Sequence, residues 1–333
     1  MAFLSVPIID LAPYFAGTPE GKAAVARQVD QACRSIGFLV ITHHGIAPGL
    51  IARVSAASRA FFALPLAEKR RVGRPREDAV RGFSAVGEEG LSYSLEEQAP
   101  GDLKESFSIG PGNVPDDDYH RGPAAGAHFE PNRWPDIEDL REAYTEYFDA
   151  MSGLSRSLMR IFALALKLDE FFFDDKIDRH ISMFRVLSYP PQKEAPLPGQ
   201  LRAGAHSDYG SLTIVLPDGP GLQVFNKAGQ WVDVPMVDGG LVVNIADLMM
   251  QWTNDQWVST LHRVSNPPLE VASSNRRQSL VFFHQPNYDA VVECLPGCRA
   301  AGEAPKYAPV TSGDHLTSKF VKQTTFGGTR TLA

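Results

Sequence analysis

The sequence has little of what secreted, membrane-spanning or nucleic-acid-binding proteins need. Its 333 residues include only three cysteines, so a disulfide framework is not expected. The formal net charge of −7 argues against a general affinity for nucleic acids or anionic membranes. No run of about 18 apolar residues occurs, and no basic segment precedes the first apolar stretch, so neither a transmembrane helix nor a signal peptide is predicted. We therefore expect a cytoplasmic protein without nucleic-acid or membrane partners.

Periodicity divides the chain into two regions, 1–136 and 137–333. The first combines a short strand, helices that begin near Pro19 and Pro48, and loops rich in Gly, Pro and Asp over residues 72–136. We expect short strands near 82–86 and 104–109 between these loops. Long loops in a compact protein are often lids over a binding site, and we predict a lid here. We expect the first region not to fold by itself and the two regions to form one structural unit.

The second region begins with apolar residues at helical spacing from Leu140 to Leu168, which predict one long amphipathic helix. Period-two alternation follows from 181 to 290, with turn residues between short strands, and a final helix is predicted from Gly313 to Gln323. Short strands in close order are typical of a sandwich or jelly roll. We predict an α+β fold with a mainly β core and helices packed outside it, the long helix supporting the core.

The most informative motif is His206-Ser-Asp208, followed by His262. We predict that one strand over 205–215 carries the first two, so that both side chains face the same side and can reach one ion. Two imidazoles and one carboxylate suit a non-haem Fe(II) that must keep positions open for other ligands. About one His-x-acid pair is expected by chance in this composition. The chain has a second, His128-Phe-Glu130, which lies in a predicted loop, and we do not expect it to bind metal.

Arg277-Gln-Ser279 opens an apolar strand, and its arginine and serine share a face. An arginine inside a barrel needs an anionic partner, and a guanidinium beside a hydroxyl suits a carboxylate. Tyr189 ends another strand. Together with the metal motif, this pattern predicts a 2-oxo-dicarboxylic acid that chelates the iron at one end and meets Arg277 at the other.

Three further residues are candidates for contact with a primary substrate: Arg185, Leu187 and Phe283. Arg185 and Leu187 share a strand face with Tyr189, and Phe283 shares one with Arg277. Arg185 has two interpretations, a salt bridge to a neighbouring acid or a contact with a carboxylate or carbonyl of the substrate. Phe283 is either ordinary barrel core or a wall of the substrate site.

Other ionisable residues receive structural interpretations. His284 has the opposite parity from Phe283, so we expect it to face outward. His180 and His315 are expected at the surface or at helix ends. Asp247 is expected in a turn or supporting a ligand, rather than binding the metal itself.

His206-Ser-Asp208, His262-Arg-Val264 and Arg277-Gln-Ser279 resemble the isopenicillin-N-synthase-like family of Fe(II)/2-oxoglutarate-dependent oxygenases, whose pattern is His-x-Asp, His-Arg-Val and Arg-x-Ser. Val6-Pro-Ile-Ile-Asp10 and Asn244-Ile-Ala-Asp-Leu248 extend the resemblance. The stretch from Arg202 to Gly210 resembles a microbial subgroup that includes thymine 7-hydroxylase. Plant members have Asn-Tyr-Tyr-Pro where this chain has Leu187-Ser-Tyr-Pro190.

The resemblance implies a double-stranded β-helix, or jelly roll, in which His206, Asp208 and His262 bind Fe(II). It also implies that Arg277, Ser279 and Tyr189 contact 2-oxoglutarate. With O2 as the third participant, 2-oxoglutarate would be decarboxylated to succinate and CO2 while a C–H bond of a small molecule is hydroxylated, desaturated or used for ring closure. Two alternatives stay open: a 2-oxoglutarate-independent oxidase of the same family, and a His2Asp zinc hydrolase. Arg185 and Phe283 favour a small, partly flat substrate with a carbonyl or carboxylate.

Overall fold

A computed structural model describes residues 5–75, 79–92, 99–300 and 302–326. Positions 76–78 and 93–98 of the predicted lid region lie outside the described residues. The helices are α1 Ala12–Phe15, α2 Pro19–Ser35, α3 Pro48–Phe62, α4 Leu66–Arg70, α5 Asp118–Arg121, α6 Leu140–Ala165, α7 Asp247–Trp252, α8 Leu269–Ala272 and α9 Ser312–Phe326. Among these helices, none is both long and apolar enough to cross a membrane.

The strands form two sheets that face each other and one small hairpin-like pair. They are β1 Ile8–Asp10, β2 Phe38–Thr42, β3 Gly82–Ser84, β4 Glu105–Ile109, β5 Met183–Tyr189, β6 Ala203–His206, β7 Leu212–Pro217, β8 Leu222–Phe225, β9 Trp231–Asp233, β10 Leu241–Ile245, β11 His262–Val264, β12 Arg277–His284, β13 Val291–Val292 and β14 Val310–Thr311. The major sheet has the order β1-β2-β10-β7-β12-β5-β4-β3, and the minor sheet has the order β6-β11-β8-β9.

Apolar side chains from both sheets meet in one buried cluster, which includes Val40 and Val242 of the major sheet and Val224 and Val264 of the minor sheet. Two facing sheets of mostly antiparallel strands are the architecture of a jelly roll. The predicted mainly β core with helices outside is therefore confirmed.

The opposite face of the major sheet packs against helices. The 26-residue helix α6 places Phe148 5.2 Å from Phe282 of β12 and Tyr147 4.9 Å from Phe184 of β5, measured between ring centroids. Because strand residues alternate between faces, Phe184 and Phe282 contact the helix layer while their neighbours point toward the minor sheet. This alternation turns Arg185 and Phe283 toward the barrel interior.

The predicted strand over 205–215 is wrong. The chain leaves the minor sheet after His206 and enters the major sheet at Leu212, so Asp208 lies in the connection rather than on a strand. Gly210 makes this crossing possible, because a Cβ on it would lie 2.2 Å from the carbonyl oxygen of His284. Leu212 and Ile214 consequently pack in the helix-side core and not on the inner face that strand parity predicted.

Of the three histidines, His284 and His315 are buried and His180 is half-buried, although His315 does lie near a helix end, as one of its two interpretations expected. His284 does point away from the barrel interior, but that face is covered, and only 1% of the residue is exposed. Its Nδ1 lies 2.6 Å from the hydroxyl of Ser211, and its ring lies 5.7 Å from that of His180, which stacks on Phe148. His315, in the first turns of α9, is also buried. A strand residue that points away from the barrel interior is buried here, because helices cover this side of the major sheet.

We expect this buried histidine cluster to make the protein sensitive to acid. Burial lowers the pKa of His180 from 6.5 to about 4 and that of His284 well below 6.5. The unfolded chain therefore binds these protons first, so the stabilisation is complete above about pH 6.5 and is lost as the pH falls toward 4. Between pH 7 and pH 5, replacing His180 by Phe should reduce the loss of unfolding free energy by on the order of 1–2 kcal/mol, measured by urea denaturation. An unchanged pH dependence in the variant would refute this role.

Candidate metal centre

The two imidazoles and the carboxylate of the sequence motif lie together between the sheets. His206 ends β6 and is paired directly with His262, the first residue of β11. The carboxylate of Asp208 faces both rings, with one oxygen 3.8 Å from Nε2 of His206 and the other 3.7 Å from Nε2 of His262. One donor atom from each residue lies within 4.8 Å of the other two. Such a cluster can surround a single ion.

Backbone carbonyls fix the orientation of both imidazoles. Nδ1 of His206 is 2.9 Å from the carbonyl oxygen of Gly204, and Nδ1 of His262 is 3.1 Å from that of Thr260. Each Nδ1 must donate its proton to the carbonyl, so each Nε2 presents a lone pair to the centre. Burial and the neighbouring His262 lower the pKa of His206 to about 3, which keeps its ring neutral. Neutral imidazoles with free Nε2 atoms are what metal binding needs.

The carboxylate of Asp208 is held by the major sheet. Asn244 of β10 donates a hydrogen bond of 2.7 Å to its Oδ2. Burial raises the pKa of Asp208, but His262, His206 and hydrogen bonds from Thr213 and Asn244 lower it overall, so the group is ionised. An ionised carboxylate with one oxygen already oriented complements the two neutral rings as a third donor.

Asp247 joins the segments that carry these donors. It is the first residue of α7, and its backbone N–H donates to the carbonyl of Asp208 over 2.9 Å. Its side chain accepts a hydrogen bond from Ser259, three residues before His262, and pairs with Lys319 of α9 at 2.6 Å. Asp247 is thus outside the donor triad and supports it, as the sequence analysis expected.

Arg277 begins β12 opposite Tyr189, the last residue of β5. Its Nη1 donates to the hydroxyl of Ser279 over 2.7 Å, and its Cζ lies 5.0 Å from the centre of the Tyr189 ring. Its Nε donates to the carbonyl of Gly219. Only 1% of Arg277 is exposed, and no carboxylate pairs with it in the part of the chain that the structure describes. A buried guanidinium without an acid is set up for an anionic ligand.

Arg185 has the salt bridge that one of its two interpretations predicted. Its Nη1 lies 3.2 Å from the carboxylate of Glu89, and its Nε donates to Ser108 of β4 over 2.8 Å. Despite its burial, the pKa of Glu89 is lowered to about 2, chiefly by Arg185, with Lys104 and Arg74 adding to the effect. The sequence offered no signal for Glu89, since it lies in the irregular region after β3.

The other two candidates for contact with the substrate, Leu187 and Phe283, lie on β5 and β12. Leu187 packs at the margin of the apolar cluster between the sheets, and Phe283, which pairs with Met183 of the neighbouring strand, is partly buried.

The second His-x-acid pair does not lie in a metal site. The ring of His128 stacks on that of Tyr288, with 6.0 Å between the ring centres. Within the described residues, the triad is the only His, Cys, Asp or Glu cluster with metal-binding spacing, so His128 and Glu130 do not form a second one.

Comparisons with known proteins agree with this arrangement. Residues 6–137 match the family described as non-haem dioxygenase in morphine synthesis N-terminal, and residues 180–286 match the 2OG-Fe(II) oxygenase superfamily. A 2-oxoglutarate-Fe(II) type oxidoreductase of Emericella nidulans is 37% identical over 96% of this chain and 90% of its own. Validamycin A dioxygenase of Streptomyces hygroscopicus is 31% identical over 96% of this chain and 87% of its own.

A solved structure shows the same fold throughout. A full-length Neurospora crassa protein in complex with alpha-KG superposes with a TM-score of 0.84 at 32% identity, covering 95% of this chain and 96% of that one. The same Neurospora protein has been solved with alpha-KG and thymine. The His-Asp-His donors present here fit Fe(II), and the resemblance noted from the sequence motifs is confirmed. The chain belongs to the 2OG-Fe(II) oxygenase superfamily, as a non-haem dioxygenase that uses Fe(II), 2-oxoglutarate and O2.

Proposed function

We propose that His206, Asp208 and His262 hold the Fe(II) of this oxygenase. The observation that carries the proposal is the convergence of two oriented Nε2 atoms on one ionised carboxylate. Three protein donors leave positions open on the metal for other ligands. When bound, Fe(II) would provide the site at which O2, the oxidant, is reduced, while 2-oxoglutarate is oxidised to succinate and CO2 and a C–H bond is hydroxylated.

Arg277, Ser279 and Tyr189 are proposed to bind the far carboxylate of 2-oxoglutarate. The guanidinium is desolvated, faces the hydroxyl of Ser279 and has no acid partner in the described residues. A bidentate carboxylate would satisfy it, and the ring of Tyr189 would close one side of the pocket. The keto-acid end would then extend toward the donor triad.

The primary substrate is proposed to contact Arg185, Leu187 and Phe283, which line the interior on β5 and β12. Arg185 is already neutralised by Glu89, so a second carboxylate here would repel the first. A neutral carbonyl avoids this cost, and Phe283 would offer a flat apolar wall. We therefore favour a small, partly flat molecule with a carbonyl group. The complex of the Neurospora crassa protein with thymine, a small ring with carbonyl groups, supports this choice.

Replacing Arg185 by Leu should raise the KM for the substrate by about 10- to 100-fold, because a hydrogen bond from a charged donor is lost in a buried site. The affinity for 2-oxoglutarate should change by less than about threefold, since its pocket is built by other residues. Steady-state kinetics with each ligand varied in turn measures both. Because the variant removes the main cationic partner of the buried Glu89, the double variant Glu89→Gln/Arg185→Leu is the matched control for misfolding. Equal loss of affinity for substrate and 2-oxoglutarate would contradict the assignment of Arg185 to the substrate site.

The function itself is tested by a substrate screen that follows succinate release, with the product mass measured for each hit. We expect succinate in proportion to product, and a product heavier than the substrate by one oxygen atom for hydroxylation. Product without succinate would instead indicate an oxidase that does not need 2-oxoglutarate. Turnover in the absence of oxygen would indicate a zinc hydrolase.

We also infer how the rest of the chain serves this site. Strands β1 to β4 belong to the same sheet as β5, β7, β10 and β12, so regions 1–136 and 137–333 would act as one structural unit. Helix α6 would support the major sheet through its contacts with Phe184 and Phe282. Within the segment 72–136, the described connection that follows β3 and contributes Glu89 would cover the substrate as a lid.

A further inference from the structure

A second buried arginine lies beside the one that we assign to 2-oxoglutarate. Arg202 is 2% exposed, close to the 1% of Arg277. The two Cζ atoms lie 5.9 and 5.0 Å from the centre of the same ring, that of Tyr189. After burial, the charge of Arg277 is the main cause that lowers the pKa of Arg202. Two like charges therefore lie beside one buried aromatic ring, close enough for each to affect the other.

No carboxylate forms a salt bridge with Arg202 in the described parts of the chain. Its Nη1 donates to the side-chain oxygen of Asn275 over 2.8 Å, its Nη2 donates to the backbone carbonyl of Asn275, and its Nε is buried without a hydrogen bond. The charge of Asp218 reaches Arg202, but the carboxylate of Asp218 accepts from the backbone of Gln278 at 2.6 Å instead. A buried cation is costly unless an anion compensates it.

The position of Arg202 in the chain also places it near the candidate metal centre. It immediately precedes β6, four residues before His206 and two before Gly204, whose carbonyl orients that imidazole. A register shift interrupts the alternation of β6 between Ala203 and His206, so the placement of Arg202 follows instead from its contact with the ring of Tyr189, which it reaches from the start of the minor sheet. Arg277 enters from the major sheet. The two guanidiniums thus approach Tyr189 from different sheets.

We propose that Arg202 determines the specificity of the cosubstrate pocket, because its uncompensated charge favours 2-oxo acids with a second carboxylate over those that end in a methyl group. This rests on the proposed binding of the far carboxylate at Arg277. An anion there offsets two buried cations, whereas a neutral tail leaves both uncompensated. The competing explanation is that Arg202 only anchors Asn275, and with it the segment that leads into β12.

The test compares two ligands that differ only at the far end. 2-Oxopentanoate carries a methyl group where 2-oxoglutarate has its second carboxylate. Binding of each to the Mn(II)-loaded enzyme is measured by titration calorimetry, so that no turnover is involved. For Arg202→Met we expect about tenfold weaker binding of 2-oxoglutarate, a usual size for the loss of one electrostatic contact, and a change below about threefold for 2-oxopentanoate.

Two further variants separate charge from anchoring. Arg202→Lys keeps the charge and Asn275→Ala removes the anchor, so both should retain most of the preference for the dicarboxylate. Equal weakening of both ligands in Arg202→Met, or loss of the preference in Asn275→Ala alone, would overturn the proposal. If Arg202→Met does not fold, the lysine variant decides, since a lost preference there contradicts a role of charge. Arg277→Met that binds both ligands like the wild type would instead overturn the assignment of Arg277.

Discussion

Replacing Asp208 by Ala is expected to lower the affinity for Fe(II) by more than about 100-fold and to abolish measurable hydroxylation. Changes to groups that merely orient a metal ligand already cost about 10- to 100-fold, and Asp208 is proposed to be a ligand itself. The loss removes the only anionic donor of the triad and leaves two neutral imidazoles. The measurement is metal content after dialysis against a defined Fe(II) concentration without oxygen.

Asn244→Ala is the matched control for this experiment. It removes the 2.7 Å hydrogen bond to Asp208 but keeps all three donors. We expect an intermediate loss of Fe(II) affinity, about 10-fold or somewhat more, with the fold intact by thermal denaturation. The account of the metal centre fails if Asp208→Ala retains iron at the wild-type level.

The second large effect is expected at Arg277. Its replacement by Met should weaken 2-oxoglutarate binding by about 100-fold or more, because the loss of one partner from a buried charge pair costs roughly 3–5 kcal/mol. Ser279→Ala should weaken it by about tenfold, the value of a hydrogen bond to a charged group. Both effects should appear in equilibrium binding, before any chemistry.

A control distinguishes lost recognition from general damage near β12. Gln278→Ala changes the neighbouring residue on the opposite face, whose side chain reaches the backbone of Ser55 in α3. This variant should bind 2-oxoglutarate like the wild type. Weakening by Gln278→Ala equal to that caused by Arg277→Met would show that the strand, rather than the guanidinium, is responsible.

Strand parity was a reliable guide where the strands are long and regularly paired. Arg277 and Tyr189 are direct cross-strand partners on β12 and β5, as are Val281 and Arg185. Seven consecutive pairs keep the two strands in register, so alternation carries through from one end to the other. The side to which Arg185, Leu187 and Phe283 point could therefore be predicted from the sequence alone.

Predictions from strand parity were wrong where the chain crosses from one sheet to the other and where helices cover a face of the sheet. Asp208 lies near His206 because a turn crosses from the minor to the major sheet, which depends on Gly210 approaching the backbone of His284. His284 has the outward parity that was predicted, yet helices close that side and bury it. Neither effect is local in sequence, so neither could be predicted from a single strand.

Sequence analysis did not identify two charged residues near the candidate site. Glu89 neutralises Arg185 from an irregular segment, and Arg202 shares the ring of Tyr189 with Arg277 from the end of another strand. Glu89 and Arg185 are 96 positions apart, Arg202 and Arg277 are 75 apart, and single residues outside a repeating pattern carry no periodic signal. The three-dimensional structure was needed to show that two buried cations lie beside the ring of Tyr189.

The central claim is that one Fe(II) and one 2-oxoglutarate bind together between the triad and Arg277. Its most direct test is absorption spectroscopy of the Fe(II)-loaded enzyme while 2-oxoglutarate is added without oxygen. We expect a weak visible charge-transfer band that saturates at one equivalent and is missing in Asp208→Ala. For Arg277→Met, the band should require far more 2-oxoglutarate. A wild-type enzyme that retains Fe(II) but develops no band, or a band unaffected by either substitution, would contradict the account.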